Sequence, residues 1–384
     1  MPATAPEAAD RAEPAAVRRL TVTDFRSYDR ATMEPDSRPV VLTGPNGAGK
    51  TNLLEAVSML SPGLGLRRAR LTEMTRRGAE RWAVAAMVER HGETVAVGTG
   101  IAGDPGQEKR VARLDGESVG PMQLSGVTPV TWLTPQMDRL FLDGAAVRRR
   151  FMDRLILGFD PDHGARANRY ERTMRERLRL LKDGNRDDRW LGALEAQMAE
   201  HGVAIAAARL AWAKRTARAV RAGIGPFPAA EIALEGLETA LDGRPAVEVE
   251  EGLMAGLRDG REEDARAGMT RLGPHRSDLA VRHLSRDAAA EQCSTGEQKA
   301  LLIALILADA RMQAAERGVT PILLLDEVAA HLDADRRAAL YDEIAALGSQ
   351  AWMTGTEGHL FDMLGERAQH YEVRDSALTP ASRS

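Results

Sequence analysis

The chain of 384 residues has a single cysteine, Cys293. No internal disulfide framework is therefore open to it, and a lone thiol fits a reducing cytosol. Long apolar runs are also missing. The longest, residues 300–308, falls well short of the ~20 residues that a membrane-spanning helix requires. Residues 1–16 are rich in Ala, Pro, Glu and Asp and contain no apolar stretch of the kind a secretory signal needs, so they read as a disordered tail. A basic surplus is absent too. The net charge of −4 argues against a uniformly basic nucleic-acid binder. That total hides an asymmetry, because residues 145–222 hold 18 Arg and Lys against 10 Asp and Glu, a surplus of eight that leaves −12 for the remainder. These absences describe a cytoplasmic chain long enough for two domains, or for one large domain with an insertion.

What is present starts with Gly44-Pro45-Asn46-Gly47-Ala48-Gly49-Lys50-Thr51, which directly follows the apolar run Pro39-Val40-Val41-Leu42. The pattern G-x-x-x-x-G-K-[ST] after a strand and before a helix is a phosphate loop. Its glycines allow the backbone to turn N–H groups around a phosphate, where a Cβ would intrude. Lys50 supplies a mobile positive charge for the outer phosphates, Thr51 a hydroxyl for Mg²⁺, and the helix that follows its N-terminal dipole. A plain glycine-rich turn is the alternative, and the flanking strand and helix argue against it.

Along the chain, residues 19–25 alternate as a half-buried strand, and a second strand runs through Met33. The helix after Lys50 carries Leu53, Leu54, Val57 and Leu60 and ends before Ser61-Pro62-Gly63. Arg67, Arg68 and Arg70 follow in a loop and fit either a phosphate contact or a solvated run. Hairpins turn at His91-Gly92 and Asp115-Gly116, so an antiparallel sheet accompanies the parallel one that a phosphate loop implies. A further strand over 127–133 leads to Gln136. From Ala145 the pattern is helical. Arg166, Arg169, Arg172, Arg175 and Arg179 recur every three or four residues along one helix face. After a polar break at Asp183-Gly184-Asn185, a 3.5-residue seam runs through Leu191, Leu194, Met198, Ile205 and Trp212. This is a helical hairpin. Its arginine stripe is open to two readings, contact with nucleic acid or a solvated face paired with Glu171 and Glu176. Residues 229–268 give mixed signals.

Ser294-Thr295-Gly296-Glu297-Gln298 precedes a long apolar helix. Alone it is an ordinary capping box, or a second anion site suited to a terminal phosphate. The strand Pro321-Ile322-Leu323-Leu324-Leu325 then ends in Asp326-Glu327, and carboxylates at the C-terminal end of a buried parallel strand lie where ligands bind in open α/β sheets. Asp326 suits a Mg²⁺ ligand, and Glu327 a base that orients and deprotonates a water. A final strand, residues 350–354, is expected to close the sheet.

Phosphate loop, glutamine, Ser-x-Gly signature and Asp-Glu strand follow the order of an ATP-binding-cassette ATPase. Within that plan the chain resembles the RecF family of DNA replication and repair proteins over nearly its whole length. The residues that carry the resemblance are Asp24-Phe25-Arg26-Ser27-Tyr28, the phosphate loop through Ala56, Arg148-Arg149-Arg150-Phe151, Gly273-Pro274-His275-Arg276, Ser294 to Leu302, and Thr354-Gly355-Thr356. The resemblance implies an α/β fold, in which a phosphate-loop ATPase domain with a mixed sheet (residues 17–144 and 266–384) is interrupted by an inserted helical arm (residues 145–265). It implies ATP and Mg²⁺ as cofactors and a slow, DNA-stimulated ATPase. It implies an ATP-dependent homodimer in which Ser294 and Gly296 of one copy face the phosphate loop of the other. DNA, single-stranded or gapped, is the implied partner, with RecR and RecO as protein partners that help load RecA. By position, Gln136 would sense Mg²⁺ and the terminal phosphate and Asp333 would lie in a loop communicating across the dimer, while within the stripe, still open to both readings, Arg169, Arg172, Arg175 and Arg179 are the candidates for DNA contact. Two departures stand out. Ser277 occupies a place where the family usually has an acid, which leaves Asp278 alone. No histidine follows the last strand as in transporter cassettes, and Thr354 and Thr356 are the nearest substitutes. A transporter subunit would be shorter, a chromosome-structuring ATPase would carry a far longer coiled coil, and a purely regulatory ATP-binding protein would lack affinity for gapped DNA.

Overall fold

The computed structural model describes residues 12–184 and 187–381. Among them, the residues up to Asp138, Ile224–Phe227 and those from Leu302 form one compact unit, and Arg139–Gly223 with Pro228–Leu301 form a second. The sequence places the helical insert at 145–265. The second unit runs on to Leu301 because the strand Ala230–Glu235 pairs antiparallel with the strand Asp278–His283, which ties the chain after residue 265 to the helices before it.

The first unit holds two six-stranded sheets. One has the strand order Ala377–Pro380, Gln369–Arg374, Val40–Thr43, Ala351–Gly355, Ile322–Leu325, Val130–Leu133, and all of its pairs are parallel except the first. Ile322–Leu325 is buried at every position, as a strand covered on both faces must be. The strand expected to close this sheet instead lies inside it, since Gln369–Arg374 and Ala377–Pro380 follow. These two have mostly polar side chains and only Val373 is fully buried, so they lack the apolar run that marks a central strand. The other sheet is antiparallel throughout, in the order Tyr28–Met33, Ala16–Phe25, Ala83–Arg90, Glu93–Ala102, Lys109–Leu114, Glu117–Val119. Its tight turns place His91-Gly92 and Asp115-Gly116 at positive φ, the backbone that two-residue hairpins favour.

Leu20 and Val22 of the antiparallel sheet, Val40 and Leu42 of the parallel one, and Leu53, Leu54 and Val57 of the helix Lys50–Ser58 belong to one core. Each fully buried aliphatic side chain contributes roughly 1.5–3 kcal/mol, so the helix behind the phosphate loop is anchored along its length. Of the expected disordered tail, residues 1–11 lie outside the described residues. The rest is structured: Glu13–Pro14 pairs in parallel with Val319–Thr320, and Ala15 and Ala16 are buried. Small apolar side chains and two backbone pairs suffice there, which a composition rich in Ala and Pro does not reveal.

The second unit is built on the helices Ala145–Ile156, His163–Lys182, Asp188–Arg221, Ala246–Asp259 and Arg261–Ala267. Asn185, in the expected break between the long helices, lies outside the described residues. All five residues of the seam read from Leu191 to Trp212 are buried. Charge also pins the helices. Arg177, fully buried, donates to Glu195 (3.0 Å), to Asp264 (2.7 Å) and to the Leu257 carbonyl (2.5 Å). Arg209 donates to Asp153 (2.8 Å), Glu238 (3.1 Å) and the Pro274 carbonyl (2.6 Å). Burial pushes the Asp153 carboxyl up, but hydrogen bonds and charge from His163 and Arg209 outweigh it and hold the group at about 2. Removing one partner from a buried ion cluster costs about 3–5 kcal/mol, so these arginines are structural.

Candidate nucleotide site and basic helix face

The phosphate loop leaves the strand Val40–Thr43 and enters the helix Lys50–Ser58. Gly44, Gly47 and Gly49 have φ of 147°, 82° and 110°. A Cβ on Gly44 would stand 2.1 Å from the Val373 carbonyl oxygen, and one on Gly49 would stand 2.8 Å from Tyr28 Oη, so both positions require glycine. Pro45, Asn46 and Gly47 form the exposed crest, and Ala48 is buried beneath it with its amide donating to the Pro45 carbonyl (3.3 Å). Lys50 is only 4% exposed, and its Nζ donates to the carbonyls of Gly44 (2.7 Å) and Pro45 (2.9 Å). Burial lowers the Lys50 pKa, while the charges of Glu327 and Asp326 act in the opposite direction.

The expected acids meet this loop. Thr51 Oγ1 donates to Asp326 Oδ1 at 2.8 Å. Asp326 is fixed from behind, because its amide donates to the Leu133 carbonyl (2.9 Å) of the neighbouring parallel strand. Thr354 Oγ1 donates to the same Asp326 Oδ1 (2.8 Å) and accepts from the Glu327 amide (2.9 Å). Glu327 itself is half-buried with φ 53°, a left-handed backbone that costs a non-glycine residue about 1–3 kcal/mol and that the surrounding contacts must impose. Thr354 is thus the hinge pin of the Asp-Glu turn.

A hydroxyl at Thr51 and one carboxylate at Asp326 are hard oxygen donors of the kind Mg²⁺ takes, usually one or two from the protein with the rest from phosphate and water. Among the described residues, no group of three or more His, Cys, Asp or Glu gathers as a metal cage. The residues present therefore fit a nucleotide-borne Mg²⁺ rather than a resident structural metal.

Several residues steady the site in a role that the sequence does not give them. Tyr28 Oη donates to the Gly49 carbonyl (3.2 Å), and burial raises the Tyr28 pKa. Glu55, fully buried on the phosphate-loop helix, is held by Arg26 through two bonds of 2.7 Å and by Arg67 at 3.1 Å. Arg67 also donates to Asn52 Oδ1 (2.8 Å). Of the loop arginines, it is therefore Arg67 that reaches the phosphate-loop helix, whereas Arg70 is exposed. A glutamate flanked by Leu53, Leu54, Ala56 and Val57 was the available signal, since a buried carboxylate demands a cation.

The remaining candidates are placed separately. Gln136 is exposed in the 3₁₀ turn Pro135–Arg139. That turn follows the strand Val130–Leu133, whose Leu133 is in register with Leu325 just before Asp326. Ser294 and Gly296 lie in the second unit, exposed at the start of the helix Thr295–Arg317. Ser294 Oγ bonds Glu297 Oε2 (2.9 Å) and the Ser294 amide donates to the same carboxylate (3.0 Å), which is the capping box read from the sequence. Asp333 caps the helix Ala334–Leu347 by accepting from the Arg336 amide (2.8 Å). Asp278 receives a two-bonded Arg148 at 2.7 Å, and Arg149 donates to the Ser277 carbonyl (2.6 Å).

On the helix His163–Lys182, Tyr170, Thr173, Arg177 and Leu180 are buried, while Arg169, Arg172, Arg175 and Arg179 are exposed. Among the described residues these four arginines form no ion pair. Glu171, an expected partner, accepts from Arg175 Nε only through its backbone carbonyl (3.2 Å). Arg166 differs, because it is bound to Asp160 at 2.6 and 2.9 Å.

Comparison with known proteins adds a family to this geometry. The sequence family described as RecF/RecN/SMC N terminal domain matches residues 16–369. A "DNA replication and repair protein RecF" of Agrobacterium fabrum is 52% identical, covering 94% of this chain and 97% of its own. The protein of that name from Caulobacter vibrioides is 48% identical over 95% and 98%. Among solved structures, the recombination mediator protein RecF with ATP, of the RecFOR pathway, aligns with a TM-score of 0.86 over 98% of this chain and all of that one, at 21% identity. An Smc head domain from Pyrococcus furiosus aligns at 0.54. Those two likenesses show a shared fold. No helix among the described residues is long and apolar enough to cross a membrane. The extent of the sequence match, end to end at about half identity, establishes that this chain belongs to the RecF family.

Proposed function

We propose that this chain is an ATP-dependent DNA-binding protein that holds DNA at single-strand/duplex junctions while ATP is bound and releases it on hydrolysis, acting as a recombination mediator. The observation that carries the reading is the hydrogen-bonded set Thr51, Asp326, Thr354 and Glu327 beside the phosphate loop. Bound Mg²⁺ would neutralise the charge that builds on the phosphate oxygens. Thr51 and Asp326 would hold it, with Gln136 completing the set. Lys50 would exchange its two carbonyl partners for phosphate oxygens. Glu327 would orient the attacking water and accept its proton, and Thr354 would keep both acids in place. Turnover would be slow and would rise with DNA.

Ser294 and Gly296, exposed at the start of a 23-residue helix, suit a terminal phosphate held by a second copy of the chain, which makes ATP the clasp of a homodimer. Asp333 would lie at that interface. Arg169, Arg172, Arg175 and Arg179, exposed and without ion pairs among the described residues, would meet the DNA backbone. RecR and RecO would be the protein partners through which RecA is loaded. The first test is calorimetry with ATP on the wild type and on Lys50→Ala. Losing a charged hydrogen-bond donor of about 1.5–3 kcal/mol should weaken binding by at least about tenfold, and unchanged affinity would remove the loop from its role.

A further inference from the structure

We infer that Trp190 and the arginine face of the helix His163–Lys182 form a stacking site for an unpaired base of single-stranded nucleic acid. The inference rests on the DNA-binding reading above and adds where, and by what chemistry, single strand is told from duplex. The chain has five tryptophans. Trp82, Trp132, Trp212 and Trp352 are buried at 0–7% exposure, whereas Trp190 is 43% exposed. It stands in the first turn of the helix Asp188–Arg221, where its amide donates to the capping Asp187 (3.1 Å).

Its position relative to the arginines follows from helix geometry. Leu180 and Leu181 of one helix pack with Leu191 and Leu194 of the next, so Arg179 and Trp190 flank the same end of the hairpin. Asp188 faces the helices Ala246–Asp259 and Arg261–Ala267 through bonds from Arg258 (3.0 Å) and Arg261 (2.6 Å). Trp190, two residues on and about 200° around the helix, points away from them. Arg177 faces the same helices through Leu257 and Asp264, and by the same rotation Arg179 points away as well. Arg172 and Arg175 continue that exposed face. Among nearby acids, Asp188 is engaged by Arg258 and Arg261 and Asp187 caps the helix, while Asp183 stands exposed at the turn.

An exposed indole at the same end of the hairpin as guanidinium groups that form no ion pair among the described residues is a combination with a specific chemistry. The guanidinium groups hold phosphates without regard to sequence or strandedness. The indole face offers a stacking surface that only an unstacked base can use, because duplex bases already cover each other. The occupant is therefore single strand, held at its backbone by the arginines and at one base by Trp190.

The test measures anisotropy of a labelled single-stranded oligonucleotide and of a duplex of equal length, at several salt concentrations, for the wild type, Trp190→Ala, Trp190→Phe and the triple change Arg172→Glu, Arg175→Glu, Arg179→Glu. Trp190→Ala should weaken single-strand binding by about 5- to 100-fold and leave duplex binding and the salt slope as they were. Trp190→Phe should restore most of the loss. In the wild type, single strand should also quench the emission that Trp190, as the exposed tryptophan, contributes. If Trp190→Ala binds single strand like the wild type while the triple change binds weakly, the stacking site is overturned and the DNA reading stands. If neither change alters binding, the helix is not a DNA surface and both fall.

Discussion

In the function proposed here the phosphate loop and the arginine helix face would bind the same chemical group, phosphate, by opposite means. The loop places Gly44 to Thr51 within eight consecutive residues, with Gly44, Gly47 and Gly49 held to positive φ and Lys50 and Thr51 to partners within about 3 Å. The helix face spreads Arg169, Arg172, Arg175 and Arg179 over three turns, with no ion pair among the described residues. A nucleotide phosphate must be held in one pose for chemistry, so its site has rigid geometry and a strict sequence pattern. A nucleic-acid backbone needs only charge of the right sign at repeat distances, so its surface has neither. Specificity on such a surface must come from something added to it, which is the part assigned to Trp190.

The largest effect should come from the rigid side of this comparison. Glu327→Gln keeps the shape of the turn but removes the proton acceptor, and steady-state turnover should fall by about 10²–10⁴-fold while ATP affinity stays. Turnover within a few-fold of the wild type would take Glu327 out of the role of base. On the diffuse side, reversing Arg169, Arg172 and Arg175 to Glu should leave ATP binding untouched and flatten the dependence of log affinity on log salt by about 2–3 for duplex DNA. A slope equal to that of the wild type would make the face merely solvated. The smallest effect tests how finely the site is set. Thr354→Val removes the hydroxyl that joins Asp326 to Glu327 without changing shape, and should reduce turnover about tenfold, of the order expected for two lost hydrogen bonds of about 0.7 kcal/mol each. Thr354→Ser should recover most of it, and a serine variant as slow as valine would show that the hydroxyl alone does not set the turn and that the methyl group is needed as well.

The same contrast explains what could be read from the sequence. Lys50, Thr51, Asp326 and Glu327 are legible because local patterns place the first two where a phosphate loop enters its helix and the last two at a strand end, and the structure brings them together. Thr354 was named only as a substitute for a missing histidine. Its bonds to Asp326 and Glu327 depend on the strand Ala351–Gly355 lying between Val40–Thr43 and Ile322–Leu325, a fact of sheet order that no local pattern carries. The bonds of Arg26 and Arg67 to Glu55 could not be read, because a polar turn and a loop arginine give no local reason to be joined to the phosphate-loop helix. In the second unit, the stripe of arginines was visible but its environment was not. Arg166 is tied to Asp160, Arg177 is wholly buried two residues before Arg179, and a charge pattern along a helix does not distinguish these from the exposed four. The end of the sheet was misplaced for a related reason, since Gln369–Arg374 gains its place from pairing with Val40–Thr43 rather than from apolar side chains.

The central claim is that the rigid site governs the diffuse one, so that ATP sets the grip on DNA. It is tested most directly by titrating a labelled gapped duplex with the Glu327→Gln protein, which is expected to retain its nucleotide, in the presence of ATP and then of ADP at the same salt. A coupling of about 1.4 kcal/mol or more, seen as at least tenfold tighter binding with ATP, is the predicted result. Equal affinity in the two nucleotide states would contradict it.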